Sequence, residues 1–214
     1  VCACVVVIFL NRALLDYGGD EGNLCVGAYG ILNRTTMFFV MIVFGVTQGM
    51  QPILGYNIGA GHFDRVKRTL RAGIWLGVAI TCIGWLVSEL FPDEVSRLFT
   101  TDDTLIRIAR DGFRIYFICY PVVGAQIVIQ NFFQSVGKPK LSIFLSLTRQ
   151  LLFLLPFLVF FPKIWGIDGV WASMAASDIL AFIVALITMI WWMRHVMRRM
   201  EIRAGYIPAE DNKK

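Results

Sequence analysis

The sequence predicts an all-α, polytopic membrane protein with six transmembrane helices. Of its 214 residues, 57% are hydrophobic and only 16% are charged, and the mean hydropathy is +0.66. A soluble domain carries roughly 45–50% apolar and about 25% charged residues, so a chain this apolar does not cover its own surface with polar groups. The composition therefore argues against a soluble enzyme and against a nucleic-acid-binding protein.

Six apolar segments are long enough, or nearly long enough, to cross a bilayer core of about 30 Å, which takes ~20 helical residues. In order they are Val1–Leu15, Val26–Leu54 (apolar mainly in Met37–Val46), Ile74–Phe91, Phe113–Phe133, Leu141–Phe161 and Gly169–Met193. The first starts with the chain and without Met. No basic region precedes it, so we interpret it as a truncated helix and not as a secretory signal. Pro121 and Pro156 fall inside two segments and predict kinks there.

The loops between these segments alternate in charge. Asp16–Glu21 holds three acids and no base, Gly61–Arg71 holds four bases and one acid, and Pro92–Leu105 holds four acids and one base. Lys138 and Lys140 follow the fourth segment. Because Lys and Arg are retained on the cytoplasmic side, the alternation predicts a multi-pass cell-membrane protein with loops two and four in the cytoplasm. It also explains the pI of about 9.1 without a nucleic-acid partner.

The same alternation divides the chain into two regions. Residues 1–193 are predicted to form the helical lobe, and residues 194–214 a basic tail on the cytoplasmic side. Arg194, Arg198 and Arg199 begin that tail directly after the last apolar segment. Such a basic run is typical of a juxtamembrane stop.

Polar side chains in the second segment are the first candidates for a functional surface. Arg34, Met41 and Gln48 are spaced by seven residues and lie roughly on one helix face, with Gln51 one turn beyond. An arginine at membrane depth either faces a polar interior or extends to the interface, and both remain open for Arg34. We take Arg34, Gln48 and Gln51 as candidates that line a substrate cavity.

The fourth segment carries a glutamine every four residues, at Gln126, Gln130 and Gln134, with Asn131 beside them. An amide left unpaired in hydrocarbon costs several kcal/mol. This stripe therefore meets another helix through hydrogen bonds, or it lines a water-filled substrate pathway. We take the three glutamines as further cavity-lining candidates.

Asp178 is the one acid well inside an apolar segment, with Ser173 and Ser177 nearby. A buried carboxylate can exchange a proton or hold a cation, so Asp178 is the candidate for ion coupling. The alternative is a structural acid held by hydrogen bonds. The five cysteines are scattered and distant from both histidines, so no metal site is predicted. No GxSxG, HExxH or P-loop motif occurs, and an enzyme is not predicted.

One stretch is more specific than composition. Gln48–Gly61, which reads QGMQPILGYNIGAG, closely resembles the motif that follows the second helix in the C-terminal half of multidrug and toxic compound extrusion (MATE) transporters. Weaker matches in the same order include Asn11–Gly19, Phe133–Lys140 and Gly166–Trp171, and the bacterial branch with the staphylococcal-type exporters is the most similar. Ala175 departs from the proline found in many relatives, which would straighten the last helix.

The resemblance implies that this chain is one lobe of a twelve-helix transporter, whose two six-helix lobes face each other across a central cavity and rock to give alternating access. Its partners would be small organic substrates, often cationic, the lipid bilayer and the missing N-terminal lobe, without which this half should not transport. No cofactor is implied, and the coupling ion would be Na⁺ or H⁺. Some branches place a carboxylate ion site in the first and fourth helices of this lobe. Phe113–Gly137 and Val1–Leu15 contain no acid here, so carboxylates of the N-terminal lobe become the better candidates.

Two alternatives stay open at this point. A lipid-linked oligosaccharide or polysaccharide flippase shares the same lobe plan and would use basic side chains in its cavity, for which Arg34 and Arg149 are candidates. A membrane-embedded transferase would need His, Asp or Ser arranged around a donor within the membrane, and only Asp178 answers that description.

Overall fold

The computed structural model describes residues 2–203 and residue 205, and these form helices joined by short turns, without a strand. Val1, Ala204 and residues 206–214, which make up much of the expected tail, lie outside the described residues. The helices are α1 (Cys2–Tyr17), α2 (Gly22–Gly59), α3 (Phe63–Leu90), α4 (Pro92–Arg97), α5 (Asp103–Phe117), α6 (Tyr120–Ser135), α7 (Pro139–Leu147), α8 (Leu155–Trp192) and α9 (Arg198–Arg203). A π-helical segment, Thr148–Leu154, joins α7 to α8, and another, Met193–Met197, joins α8 to α9.

The predicted helical segments are present, and their bounds are wider than the apolar runs alone. Three helical stretches are long and apolar enough to cross a membrane: Gly19–Gly59, Phe63–Leu90 and Pro139–Ile202. The bent pair of α5 and α6 makes a fourth candidate. The first segment is the 16-residue α1, which packs against α2 and α8.

The fourth segment is a bent helix. α5 begins at an N-cap, where the Asp102 carboxylate accepts hydrogen bonds from the backbone of Thr104 (2.9 Å) and Leu105 (3.4 Å). α5 and α6 then meet at an angle of 57°. Pro121 lies in the first turn of α6, where it has no N–H to continue the hydrogen-bond ladder of α5, and this accounts for the bend. The predicted span Phe113–Phe133 therefore crosses a break.

The last long stretch is a helical hairpin. Gly166 has φ 57° and ψ −132°, a left-handed conformation that favours glycine, and it divides α8 into residues 155–165 and 167–192. The chain reverses there, since the Ser173 hydroxyl donates to the Phe157 carbonyl at 2.9 Å. A Cβ on Gly169 would collide with the Phe161 carbonyl, so the two arms touch near the turn. With this division, the four candidate stretches become five among the described residues, and the 16-residue α1 is shorter than a full span.

The closest helix contact joins α3 to α6. A Cβ on Gly77 would lie 3.0 Å from the Gly124 carbonyl, and a Cβ on Gly124 would collide with the Gly77 carbonyl. The Thr81 hydroxyl bridges the same helices by donating to the Pro121 carbonyl at 3.1 Å. Small residues permit such a backbone approach, which is the usual device for packing helices in a membrane.

The helix continues without interruption past Met193 through Arg203. The end of this helix packs against the start of α3. Lys67 Nζ and Glu201 Oε1 are 2.5 Å apart there, and Glu201 is buried. The first part of the predicted tail is therefore attached to the α2–α3 connection. Around the bundle, large apolar side chains such as Phe38, Trp75 and Ile164 are exposed, as expected of a surface that faces lipid.

Candidate functional site

A buried ion pair joins the two arms of the hairpin. Arg149 Nε donates to Asp178 Oδ1 at 2.6 Å, although 29 residues separate them and a straight helix would place them about 44 Å apart. The Asp178 side chain is 3% exposed and that of Arg149 is 31% exposed. The pair is close to neutral as a unit, so the carboxylate has an internal counter-ion.

The π-helical segment determines where Arg149 sits. Thr148 begins this segment, and its hydroxyl donates back to the Phe144 carbonyl at 2.8 Å. Pro156 follows in the next turn and lacks the N–H that a regular α-helix would use, so the hydrogen-bond pattern before it is disturbed. Segments of this kind are frequent at functional sites.

Two tyrosines of the α5–α6 bend lie near the ion pair. Tyr116 and Tyr120 are buried, and both lie near enough to interact electrostatically with the charges of Arg149 and Asp178. The Tyr120 hydroxyl also donates to the Thr36 carbonyl in α2 at 2.9 Å. The bend of the fourth segment, the middle of α2 and the hairpin therefore meet in one polar region within the apolar bundle.

Gln126 is the least satisfied polar side chain of this bundle. It is 1% exposed, and neither its Oε1 nor its Nε2 has a hydrogen-bond partner within residues 2–203. A buried amide without partners costs about 1–3 kcal/mol or more for each atom, so this position favours contact with water, an ion or a ligand.

Exposure rises along the glutamine stripe of α6. Gln126 is buried, Gln130 is half-buried, and Gln134 is exposed at the end of the helix. Asn131 has its own local partner, since its Nδ2 donates to the Ile127 carbonyl at 2.9 Å. The three glutamines, which we call the α6 amide track, therefore lead from the interior of the bundle to one of its ends.

Gln48 and Gln51 of α2 lie at a depth in the bundle similar to that of the α6 amide track. The two helices run in the same direction, because Thr36 meets Tyr120 at one end and a Cβ on Gly55 would lie 3.9 Å from the Ser135 carbonyl at the other. Exposed Gln48 and half-buried Gln51 thus reach about the same depth as the middle of the track. Gln48 is on the outer half of α2, whereas Gln51 lies closer to the inner half, on which Thr47 and Met50 are buried.

Arg34 lies apart from these groups. Its side chain is exposed, and it forms no ion pair with any described residue. The structure therefore brings the candidates together in three places: the α6 amide track, the polar edge of α2 with Gln48 and Gln51, and Asp178 with its counter-ion.

Sequence reasoning named Arg149 only as a candidate for a flippase cavity and did not pair it with Asp178. It lies within the predicted fifth span, and an intramembrane arginine in a chain with one intramembrane acid is a signal for pairing. Tyr116 and Tyr120 carried no such signal, since tyrosines in an apolar run are typical of packing. Among the described residues, no three His, Cys, Asp or Glu side chains are grouped closely enough to hold a metal ion.

Comparisons with known proteins agree on one family. The family model described as MatE matches residues 4–160. The chain is similar to a multidrug export protein, MepA, of Staphylococcus haemolyticus (strain JCSC1435), with 22% identity, covering 86% of this chain and 39% of that protein. It is also similar to a probable multidrug resistance protein, YoeA, of Bacillus subtilis (strain 168), with 22% identity and coverage of 92% and 42%.

Solved structures give the same result. A ligand complex of the MATE multidrug transporter DinF-BH matches with a TM-score of 0.75 and 35% identity, covering 91% of this chain and 42% of that one. A crystal structure of MATE in complex with MaL6 matches with a TM-score of 0.82 at 20% identity, covering 94% and 44%. The chain thus spans about two fifths of the length of these proteins.

Proposed function

Because the chain belongs to the MatE family, we propose that it is the C-terminal six-helix lobe of a secondary transporter that exports organic compounds in exchange for Na⁺ or H⁺. A second lobe would complete the molecule, in line with the two fifths of its relatives' length that this chain spans. Substrate would bind between the lobes, and a rocking motion would open that cavity to each side in turn.

The α6 amide track is the observation that carries this proposal. In the described conformation, Gln126 lies inside the bundle with both amide atoms unpaired, while Gln130 and Gln134 extend towards the surface. A conformation that admits water or substrate along α6 would satisfy Gln126 and so be stabilised relative to this one. Substrate binding is therefore coupled, through Gln126, to a change in how the helices pack around α6.

The 57° bend between α5 and α6 supplies a place for that change. Helix ends at such a break can reorient without loss of the hydrogen bonds inside either helix. The bend lies near the Arg149–Asp178 pair, since Tyr116 at the end of α5 and Tyr120 at the start of α6 both interact electrostatically with that pair. We propose that a coupling cation acts here by competing with Arg149 for the Asp178 carboxylate.

Efflux of an ethidium-type dye tests the function directly. The complete transporter is expressed in cells, and the Na⁺ and H⁺ gradients are collapsed separately. We expect efflux to require one gradient, and Asp178→Asn to change that dependence at unchanged expression. The matched variant Asp16→Asn removes an acid that is 63% exposed at the end of α1 and should leave the dependence unchanged.

One observation favours the flippase alternative. Arg34 is a cation on the exposed face of α2 without an internal counter-ion among the described residues, as a site for a lipid-linked pyrophosphate would require. Arg149 gives less support than the sequence suggested, because Asp178 already neutralises it. Absence of dye efflux at normal membrane expression, together with Arg34-dependent transfer of a lipid-linked pyrophosphate, would establish this second function.

A further inference from the structure

A basic pocket lies at the start of α3, at the end of the bundle where α2 turns into α3. His62, Asp64, Arg65 and Arg68 line an open pocket of about 270 Å³. Both arginines are exposed, and neither forms an ion pair with a described residue. Asp64 offsets one of the two positive charges, so Arg65, Arg68 and Asp64 together leave a net charge of +1.

Two further features of this pocket suit an anion. The His62 Nδ1 atom is buried and has no hydrogen-bond partner within residues 2–203. The 28-residue helix α3 begins at Phe63, so the positive end of its dipole lies at the same place. Lys67 contributes less, because Glu201 already pairs with it.

The arginines are the first members of an exposed stripe that continues along α3. Beyond Arg65 and Arg68, the exposed positions include Ala72, Trp75 (70% exposed), Ala79 and Ile83 (56% exposed). These positions recur every three to four residues and so lie on one helix face. From Ala72 to Ile83 the helix rises about 16 Å, which is about half of a bilayer core and therefore the length of one acyl leaflet.

We propose that this surface is a binding site for an anionic phospholipid. Arg65, Arg68 and His62 would bind the phosphate, with the planar guanidinium groups donating to its oxygens, and one acyl chain would lie along Trp75 and Ile83. A free phosphate would use the pocket but not the apolar stripe, so the combination selects a lipid. This inference does not depend on what the protein transports.

Native mass spectrometry of the detergent-purified complete transporter tests the proposal, with phosphatidylglycerol and phosphatidylcholine as probes of equal chain length. We expect tighter binding of phosphatidylglycerol, and about 30-fold weaker binding after Arg65→Gln with Arg68→Gln, from the usual contribution of two interfacial arginines. The matched control is Lys138→Gln with Lys140→Gln, which removes the same charge from exposed positions at the same end of the bundle. That control should change the affinity less than threefold.

Two additional variants make the test independent of membrane insertion. Arg68→Lys keeps the positive charge that directs membrane topology. It should still weaken lipid binding, because lysine lacks the planar guanidinium that donates two parallel hydrogen bonds to a phosphate. Asp64→Asn should strengthen binding by removing the opposing charge. Equal affinity of the double arginine variant and the wild type would overturn the proposal, as would an equal loss in the lysine control. Displacement of the lipid by inorganic phosphate at equal concentration would overturn the assignment to a lipid.

Discussion

The Arg149–Asp178 pair gives the most quantitative prediction. Removing one partner of a buried ion pair leaves an uncompensated charge and costs about 3–5 kcal/mol. The cost is unequal here, because Asp178 is almost completely buried whereas 31% of the Arg149 side chain reaches the surface. Arg149→Gln, which isolates the buried carboxylate, should therefore destabilise more than Asp178→Asn, which isolates the partly exposed guanidinium.

The assay is thermal unfolding of the complete transporter in detergent. For a lobe of about 200 residues that unfolds as one unit, about 1 kcal/mol shifts the unfolding temperature of that lobe by ~2–4 °C, so Arg149→Gln should lower it by roughly 6–20 °C. The double variant should lose much less than the sum of the single variants, because neither charge then lacks its counter-ion.

An exposed pair of the same chain is the matched control. Arg12 Nε and Asp16 Oδ2 are 3.7 Å apart, with side chains 80% and 63% exposed. Such a pair contributes about 0–1 kcal/mol, so Arg12→Gln should shift the unfolding temperature little. If the Arg149 variant behaved like this control, or if the two single effects were additive, the Arg149–Asp178 pair would not hold the hairpin together.

Three further predictions follow from contacts elsewhere in the bundle. Gly124→Ala forces the α3 and α6 backbones apart and should cost about 1–3 kcal/mol in thermal unfolding, whereas Gly45→Ala, which meets open space, should cost almost nothing. Gln126→Leu removes an unpaired buried amide at similar volume, so the unfolding temperature should stay equal or rise while dye efflux falls; a large destabilisation would mean that the amide is bonded. The guanidinium of Arg110 holds the pKa of Asp93 below its ordinary value of 3.8, so this carboxylate stabilises the fold above about pH 4, and the stabilisation is lost as the pH falls through the lowered pKa. Asp93→Asn should reduce the fall in unfolding temperature between pH 5 and pH 3. An unchanged fall would mean that acids other than Asp93 cause the loss of stability at low pH.

The helices could be predicted from the sequence because hydropathy and length act locally along the chain. The apolar core of each segment was recognised, but its ends were not, since α2 continues from Gly22 to Gly59 beyond the apolar run that marked it. Pro121 indicated the kink in the fourth segment, and the 57° bend lies next to it. Local chemistry was sufficient in each of these cases.

Contacts between distant residues could not be predicted in the same way. The reversal at Gly166 depends on one backbone conformation, and only that reversal brings Asp178 to Arg149. The close approach of α3 and α6 likewise depends on two glycines that are 47 positions apart, whereas the conspicuous glycines near the end of α2 have mostly open space around them. In the candidate site, the spacing of the glutamines on α6 could be recognised from the sequence. Their increasing exposure from Gln126 to Gln134 could not, because it depends on how the other helices pack around α6.

The most direct test of the central claim is the solvent accessibility of position 126 in the complete transporter. A single cysteine is introduced by Gln126→Cys in a background without the native cysteines, and its reaction with a water-soluble maleimide is followed with and without substrate and ion gradients. The control is Val128→Cys, a position that is 1% exposed and packs near Gly73 and Gly77 of α3. We predict that position 126 becomes reactive in at least one of these conditions while position 128 stays protected. Protection of position 126 in every condition would contradict the claim that α6 lines the substrate pathway.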